Sequence, residues 1–200
     1  MDRKTVNAEL RRQFVPLLTG AGFLWKSDVG RRILAGPVIH VVEVQHRPRA
    51  AVFQVNLGAH LPALGDVAGG ESPAHEALRE YECAWRGSVI SGFRNASDAE
   101  FAYGATPEEA AESVAFLASE WQRQSERFFG PLTAYPDGFH ATARGALEKD
   151  LHPAHLLTWA RVALLLEDSA LAEALATRAL PRVPERATSL RDELQRILTR

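Results

Sequence analysis

Carboxylate, carboxamide and guanidinium side chains recur on neighbouring predicted strands, and such groups can bridge strands or bind an extended peptide. Arg86 would form an ion pair with Glu43 if the strands pair as neighbours, and the carboxamides would contact one another or a ligand. The same residue types also occur on the ordinary solvent-facing side of an antiparallel sheet, so both interpretations stay open. The candidate binding residues are Glu43, Gln45, Gln54, Asn56, Arg86 and Ser88.

Three segments must position these side chains as strands. Residues 38–46 (VIHVVEVQH) and 51–58 (AVFQVNLG) are rich in β-branched and aromatic residues, and the short connector Arg47-Pro48-Arg49-Ala50 joins them. Residues 82–90 (ECAWRGSVI) are also typical of a strand. Side chains alternate between the faces of a strand. We therefore predict a sheet with one apolar face and one polar face.

Histidine clusters could bind a metal, but their spacing argues against it. His40 and His46 would share a strand face roughly 20 Å apart, too far to bind one ion. His152 and His155 are three residues apart at a helix start, but the third ligand that zinc usually needs is missing. The sequence predicts no metal site.

Catalytic and cofactor patterns are equally weak in this sequence. Cys83 lies in an apolar segment and is predicted to be buried and inert. Glu80 and Glu82 precede a strand, where a pair of acids is usually solvated. The sequence contains no Gly-x-Ser-x-Gly elbow, and the glycines of Ala68-Gly69-Gly70 match no phosphate-binding loop. We expect no catalytic residue and no cofactor.

The composition bounds the class of protein. The chain has 200 residues, of which 23 are basic and 25 acidic, giving a net charge of −2 that argues against nucleic acid as a partner. A single cysteine indicates a reducing compartment. The charged N-terminus lacks the apolar core of a signal peptide, and no apolar run is long enough to span a membrane. A cytoplasmic protein that does not insert into membranes is expected, and the sequence leaves its oligomeric state open.

Helical and strand patterns together predict an α+β domain. Apolar spacing predicts a helix over residues 3–19, kinked by Pro16, and a second helix over residues 107–128 opened by Thr106 as the N-cap. Short strands at Phe23–Lys26 and Arg32–Ala35 would join the longer ones in an antiparallel sheet of about five strands. The glycine-rich residues 61–75 would form a loop over the sheet.

The last third of the chain contains only helical patterns. Residues 153–167 and 169–180 predict a pair of antiparallel helices, and residues 186–198 predict a terminal helix. We therefore predict two regions, an α+β domain over residues 1–134 and a helical appendage over residues 135–200.

The order of these motifs resembles the bacterial family described as domain of unknown function 4304. The similarity covers roughly residues 3–133 and leaves the helical tail outside. The family has no established reaction, so the resemblance implies a fold but no activity. Gly87-Ser88 stand where the family pattern has a second arginine. The motifs are LLTGAGF, VVEVQ, FQVNLG, ECAWRGSVI and TPEEAAESVAFLASEW, and the most family-like positions are Gly22, Phe23, Gln45, Asn56, Gly58 and Arg86.

Two functions from different classes follow from these observations. The first is a non-enzymatic protein-interaction module that uses the polar sheet face. The alternative is a hydrolase or transferase with a pocket near Arg86 under the loop of residues 61–75. The absence of a recognisable nucleophile, carboxylate pair or metal cluster favours the first.

Overall fold

The structure is a computed structural model that describes residues 2–36, 38–65 and 74–200. The chain divides into two compact units, Met1–Gly130 and Pro131–Arg200. The first unit combines an antiparallel sheet with helices, and the second contains helices over its whole length. The predicted α+β class is confirmed.

The sheet of the first unit has six strands, one more than the sequence predicts. Every paired strand runs antiparallel to its neighbour in the order β1-β2-β3-β4-β5, and β6 pairs with β4 beyond the end of β5. The three-residue strand β6 was not predicted, because so short a segment has no measurable alternation. The strands are β1 (Leu24–Lys26), β2 (Val29–Ile33), β3 (Ile39–Arg47), β4 (Val52–His60), β5 (Trp85–Ser88) and β6 (Glu100–Ala102).

Strands β1 and β2 form a hairpin with a two-residue turn. Ser27 and Asp28 both have positive φ, at 50° and 66°, which is the conformation of a type I′ turn and matches the twist of the strands. The prediction of a second short strand at Arg32–Ala35 is therefore wrong in its bounds, because the strand already begins with Val29 and Gly30. Both residues pair with β1.

The N-terminal helix changes its hydrogen bonding ahead of Pro16. It runs as α1 (Arg3–Glu9), a π-helical turn (Leu10–Phe14) and α2 (Val15–Gly20). Proline has no N–H to continue the regular pattern, and a single π turn is a known way to absorb such an interruption. The change in hydrogen bonding thus lies just ahead of Pro16, and the predicted kink at this residue stays a prediction.

The long helix α3 (Pro107–Phe129) begins where the sequence predicts. The Thr106 hydroxyl accepts a hydrogen bond from the Glu109 N–H, and Glu109 in turn accepts one from the Ala105 N–H. The helix packs its apolar stripe against the first helical segment and the sheet, with Val114, Leu117 and Trp121 buried.

One face of the sheet, named here the covered face, lies under these helices. Trp121 meets the ring of Phe14 edge to face at 5.2 Å. His40 stacks on Phe129 at 4.3 Å, and Phe101 of the sheet approaches Phe116 of α3. Aromatic residues therefore supply much of the contact between helix and sheet.

The second unit consists of four helices. The predicted pair of antiparallel helices is present as α5 and α6, and the predicted terminal helix is α7. Asp168 caps α6 by accepting a hydrogen bond from the Leu171 N–H, and it also contacts His140 at 2.8 Å. The helices are α4 (Asp137–Ala146), α5 (Pro153–Leu165), α6 (Ser169–Ala179) and α7 (Thr188–Leu198).

Candidate functional site

All six candidate binding residues lie on the face of the sheet opposite the helices, named here the open face. In the strand register Glu43 is opposite Asn56, and Gln45 is opposite Gln54. On the other side of β4, Ser88 is opposite Asn56 and Arg86 is opposite Gly58. Directly opposed residues project to the same side of a sheet, so the register brings the six together.

The six residues line a single shallow hollow, named here the polar depression, with a volume of about 610 Å³. Gln45 and Arg86 are exposed, and Gln54, Asn56 and Ser88 are partly exposed. The remaining lining comes from neighbouring strands and two connecting segments, through Arg47, Glu80, Tyr81, Gly87, Ile90, Ser97 and Ala99.

A chain of uncharged groups crosses three strands in this depression. The Ser88 hydroxyl donates to Asn56 Oδ1 at 2.9 Å, and Asn56 Nδ2 donates to Gln45 Oε1 at 3.2 Å. The Gln54 side chain forms no hydrogen bond with any residue in the described part of the chain. The Gln54 carboxamide and the Gln45 amide nitrogen therefore present donors and an acceptor to the depression.

Two ion pairs form one wall of the depression. Arg86 contacts both carboxylate oxygens of Glu80, at 2.7 and 3.3 Å, and Arg79 forms a two-point contact with Glu43. The prediction that Arg86 pairs with Glu43 is wrong, and so is the prediction that Glu80 is solvated, since only 8% of its side chain is exposed. Sequence reasoning missed Arg79, whose partner is 36 positions away.

A turn of 3₁₀-helix at Glu80–Glu82 explains these pairings. The Glu82 carboxylate accepts a hydrogen bond from the Arg79 N–H, which holds the turn closed. The predicted strand over residues 82–90 therefore begins only at Trp85, and its prediction is wrong at the N-terminal end. Because the turn lies over the sheet, Glu80 and Arg79 reach the open face from above.

The charges of this wall are mutually compensated. The hydrogen bonds that Arg79 donates to Glu43 and that Arg86 donates to Glu80 raise the pKa of the two arginines. Arg47 similarly contacts Glu100 at 2.8 Å, and Arg94 contacts Asp98 and Glu100. The depression is consequently polar without a strong excess of either charge.

Beside the six residues, part of the open face is apolar and covered, which corrects the expectation of a uniformly polar face. Val29, Ile39 and Val41 form a small core with Leu78 and Cys83. Gly58 allows this close packing, because a Cβ there would lie 2.6 Å from Cys83 Sγ. The end of the open face that bears the six residues remains accessible.

Cys83, His40 and His46, which were considered for metal binding and catalysis, lie in packed parts of the first unit. Burial raises the pKa of the Cys83 thiol, so the nucleophilic thiolate is disfavoured. His40 and His46 lie on the covered face, where His46 Nδ1 is 2.8 Å from the Tyr103 hydroxyl. Within residues 2–36, 38–65 and 74–200, no group of three histidine, cysteine or acidic side chains could hold a metal ion.

The predicted loop covers residues 61–75, of which residues 66–73 lie outside the described part of the chain. Its first part forms a 3₁₀ turn at Pro62–Leu64. The alternative of a hydrolase or transferase pocket near Arg86 and under this loop therefore stays a prediction. The guanidinium of Arg86 is already bound by Glu80 in this structure.

Comparisons with family models, curated proteins and solved structures find no match to this chain. The resemblance to the domain of unknown function 4304 family therefore stays a prediction that rests on the motifs alone. Among the described residues, no helix has the length and apolar character needed to cross a bilayer.

Proposed function

We propose that the first unit is a non-enzymatic protein-interaction module that binds a polypeptide segment in the polar depression. The observation that carries this proposal is the convergence of Gln45, Gln54 and Asn56, with Ser88, in one accessible hollow. Carboxamides offer a donor and an acceptor each, which are the groups that a peptide backbone requires.

The paired charges support a polypeptide partner over a charged small molecule. Glu43 and Glu80 are each bound by an arginine, so neither is free to act as a base or to attract a cation. A shallow and largely neutral hydrogen-bonding surface suits an extended chain, whereas small molecules are usually held in deeper, mostly apolar pockets.

A selection from a random peptide library displayed on phage tests the proposal. We expect the wild-type protein to enrich peptides, and we expect the double variant Gln45→Ala and Gln54→Ala to bind them roughly tenfold more weakly. Tenfold corresponds to about 1.4 kcal/mol, which is the loss expected for two hydrogen bonds with a net value of about 0.7 kcal/mol each.

The matched control is Gln195→Ala, an exposed glutamine in α7 of the second unit. This variant should bind the selected peptides as the wild type does. Failure to enrich any peptide, or equal binding by the wild type and the double variant, would contradict the proposal. Circular dichroism of both variants would establish that they remain folded.

A further inference from the structure

Strand β5 is at the edge of the sheet, and its outward backbone groups can be identified from the register. The Val89 N–H donates to the Val55 carbonyl of β4 at 2.9 Å. Inward and outward bonding alternate along an antiparallel strand, so Gly87 also bonds inward, opposite Leu57. The N–H and C=O groups of Arg86 and Ser88 therefore point away from β4.

Further along this edge, the Gln124 side chain of α3 bonds the outward backbone groups of Ile90. Its carboxamide accepts a hydrogen bond from the Ile90 N–H at 2.7 Å and donates one to the Ile90 carbonyl at 2.9 Å. These are the two bonds that a neighbouring strand would make. No group among the described residues makes the equivalent bonds with Arg86 and Ser88.

Two hollows flank this edge on opposite sides of the sheet. The polar depression lies on the open face, and a second hollow of about 680 Å³, named here the edge depression, lies between β5 and α3. Gly87, Ser88 and Ile90 line both. The edge depression also exposes Phe116, whose accessible fraction is 47%, beside Phe128.

The charges of the edge depression favour an acidic ligand. Arg127 is exposed and has no carboxylate partner among the described residues, whereas Arg123 is paired with Glu120. An acidic side chain would therefore have an unpaired guanidinium to contact. An apolar side chain would cover the exposed part of Phe116.

We infer that the free edge of β5 accepts an extended peptide of another protein as an additional strand. Side chains of a strand alternate between the two faces, so small polar residues would enter the polar depression, and acidic or apolar residues would enter the edge depression. This inference rests on the proposed function and specifies the partner chemistry. Gln124 would limit the added strand to the part of the edge before Ile90.

A heptapeptide of sequence TETLTET is the probe for this binding mode. Its threonines would face the polar depression, and its glutamates and leucine would face the edge depression. Fluorescence anisotropy with the labelled peptide and the full chain should show binding at least tenfold tighter than that of the charge-reversed peptide TKTLTKT. The variant Arg127→Glu should abolish this preference. The control Arg11→Glu, an exposed arginine on the N-terminal helical segment, should retain it.

N-methylation of the peptide backbone tests strand addition without changing the protein. A peptide at a sheet edge bonds the edge through alternate residues only. Methylation at one alternating set of positions in TETLTET should weaken binding about tenfold or more, and methylation at the other set should leave it nearly unchanged. Equal effects at both sets would overturn the inference.

The remaining outcomes separate the inference from the proposed function. In one outcome, the enriched phage peptides depend on Gln45 and Gln54, but TETLTET does not bind. That result would overturn strand addition and leave the proposed function standing. Sedimentation velocity tests whether a second copy occupies the edge. If the protein is a dimer and Ser88→Pro converts it to a folded monomer, a second copy occupies the edge of β5. That result would also overturn the inference.

Discussion

The covered and open faces of the sheet accommodate polar groups in different ways. On the covered face, His40 and His46 are enclosed by aromatic rings and bonded within the same unit. On the open face, charged groups occur as arginine–carboxylate pairs such as Arg86–Glu80. Tight burial on one side gives stability, whereas paired charges on the other leave a polar surface that remains available for contact.

The largest expected difference between the faces is in core packing. Replacement Phe14→Ala, at a fully buried ring against Trp121, should lower the free energy of unfolding by about 3–5 kcal/mol, because it removes apolar contacts and leaves a cavity. Urea unfolding measures this change. The control Phe93→Ala removes a ring that is 55% exposed and should cost less than about 1 kcal/mol. Similar losses for both would show that the covered face does not dominate stability.

A smaller effect is expected where the open face becomes apolar. Gly58→Ala should destabilise by about 1–3 kcal/mol, because its Cβ would lie 2.6 Å from Cys83 Sγ and 3.3 Å from the Glu80 backbone. Adding Cys83→Ala should recover part of that loss, which a double-mutant cycle measures. Gly20→Ala is the control, since no atom lies within 4 Å of its added Cβ. Strict additivity in the cycle would argue against the contact.

The histidine at the rim of the covered face predicts a modest pH dependence. Burial lowers the pKa of His46 from its usual 6.5, and the charge of Arg3 lowers it further. The unfolded chain then binds the proton more readily, so this group makes stability rise with pH until the pH exceeds the unfolded value. Unfolding between about pH 5 and 7 should show a smaller slope for His46→Gln than for the wild type. The exposed His75→Gln should keep the wild-type slope.

The smallest effect on stability is expected within the polar depression. Gln54→Ala removes a partly exposed side chain that bonds to no described residue, so the free energy of unfolding should change by less than about 0.5 kcal/mol. Thermal and urea unfolding provide the measurement. A loss above about 1 kcal/mol would mean that Gln54 has a structural role, and would weaken the interpretation of the open face as a binding surface.

Local patterns in the sequence were sufficient to predict the long helices and strands. Strands β3 and β4 and helix α3 each have many residues in phase, and Thr106 and Pro107 mark the helix start without help from the rest of the chain. Short elements were less predictable. The tight turn at Ser27 and Asp28 depends on backbone conformations that these residues adopt only because β1 and β2 pair.

The sequence by itself determined that Gln54 and Asn56 share one face of their strand, and that Glu43 and Gln45 share one face of theirs, because side-chain alternation along a strand is a local property. Only the tertiary structure decided which arginine meets which carboxylate. Arg79 reaches Glu43 across 36 positions, because a 3₁₀ turn lies over the sheet. Such pairings depend on how segments that are distant in the sequence pack together, and the periodicity within a single segment does not encode that packing.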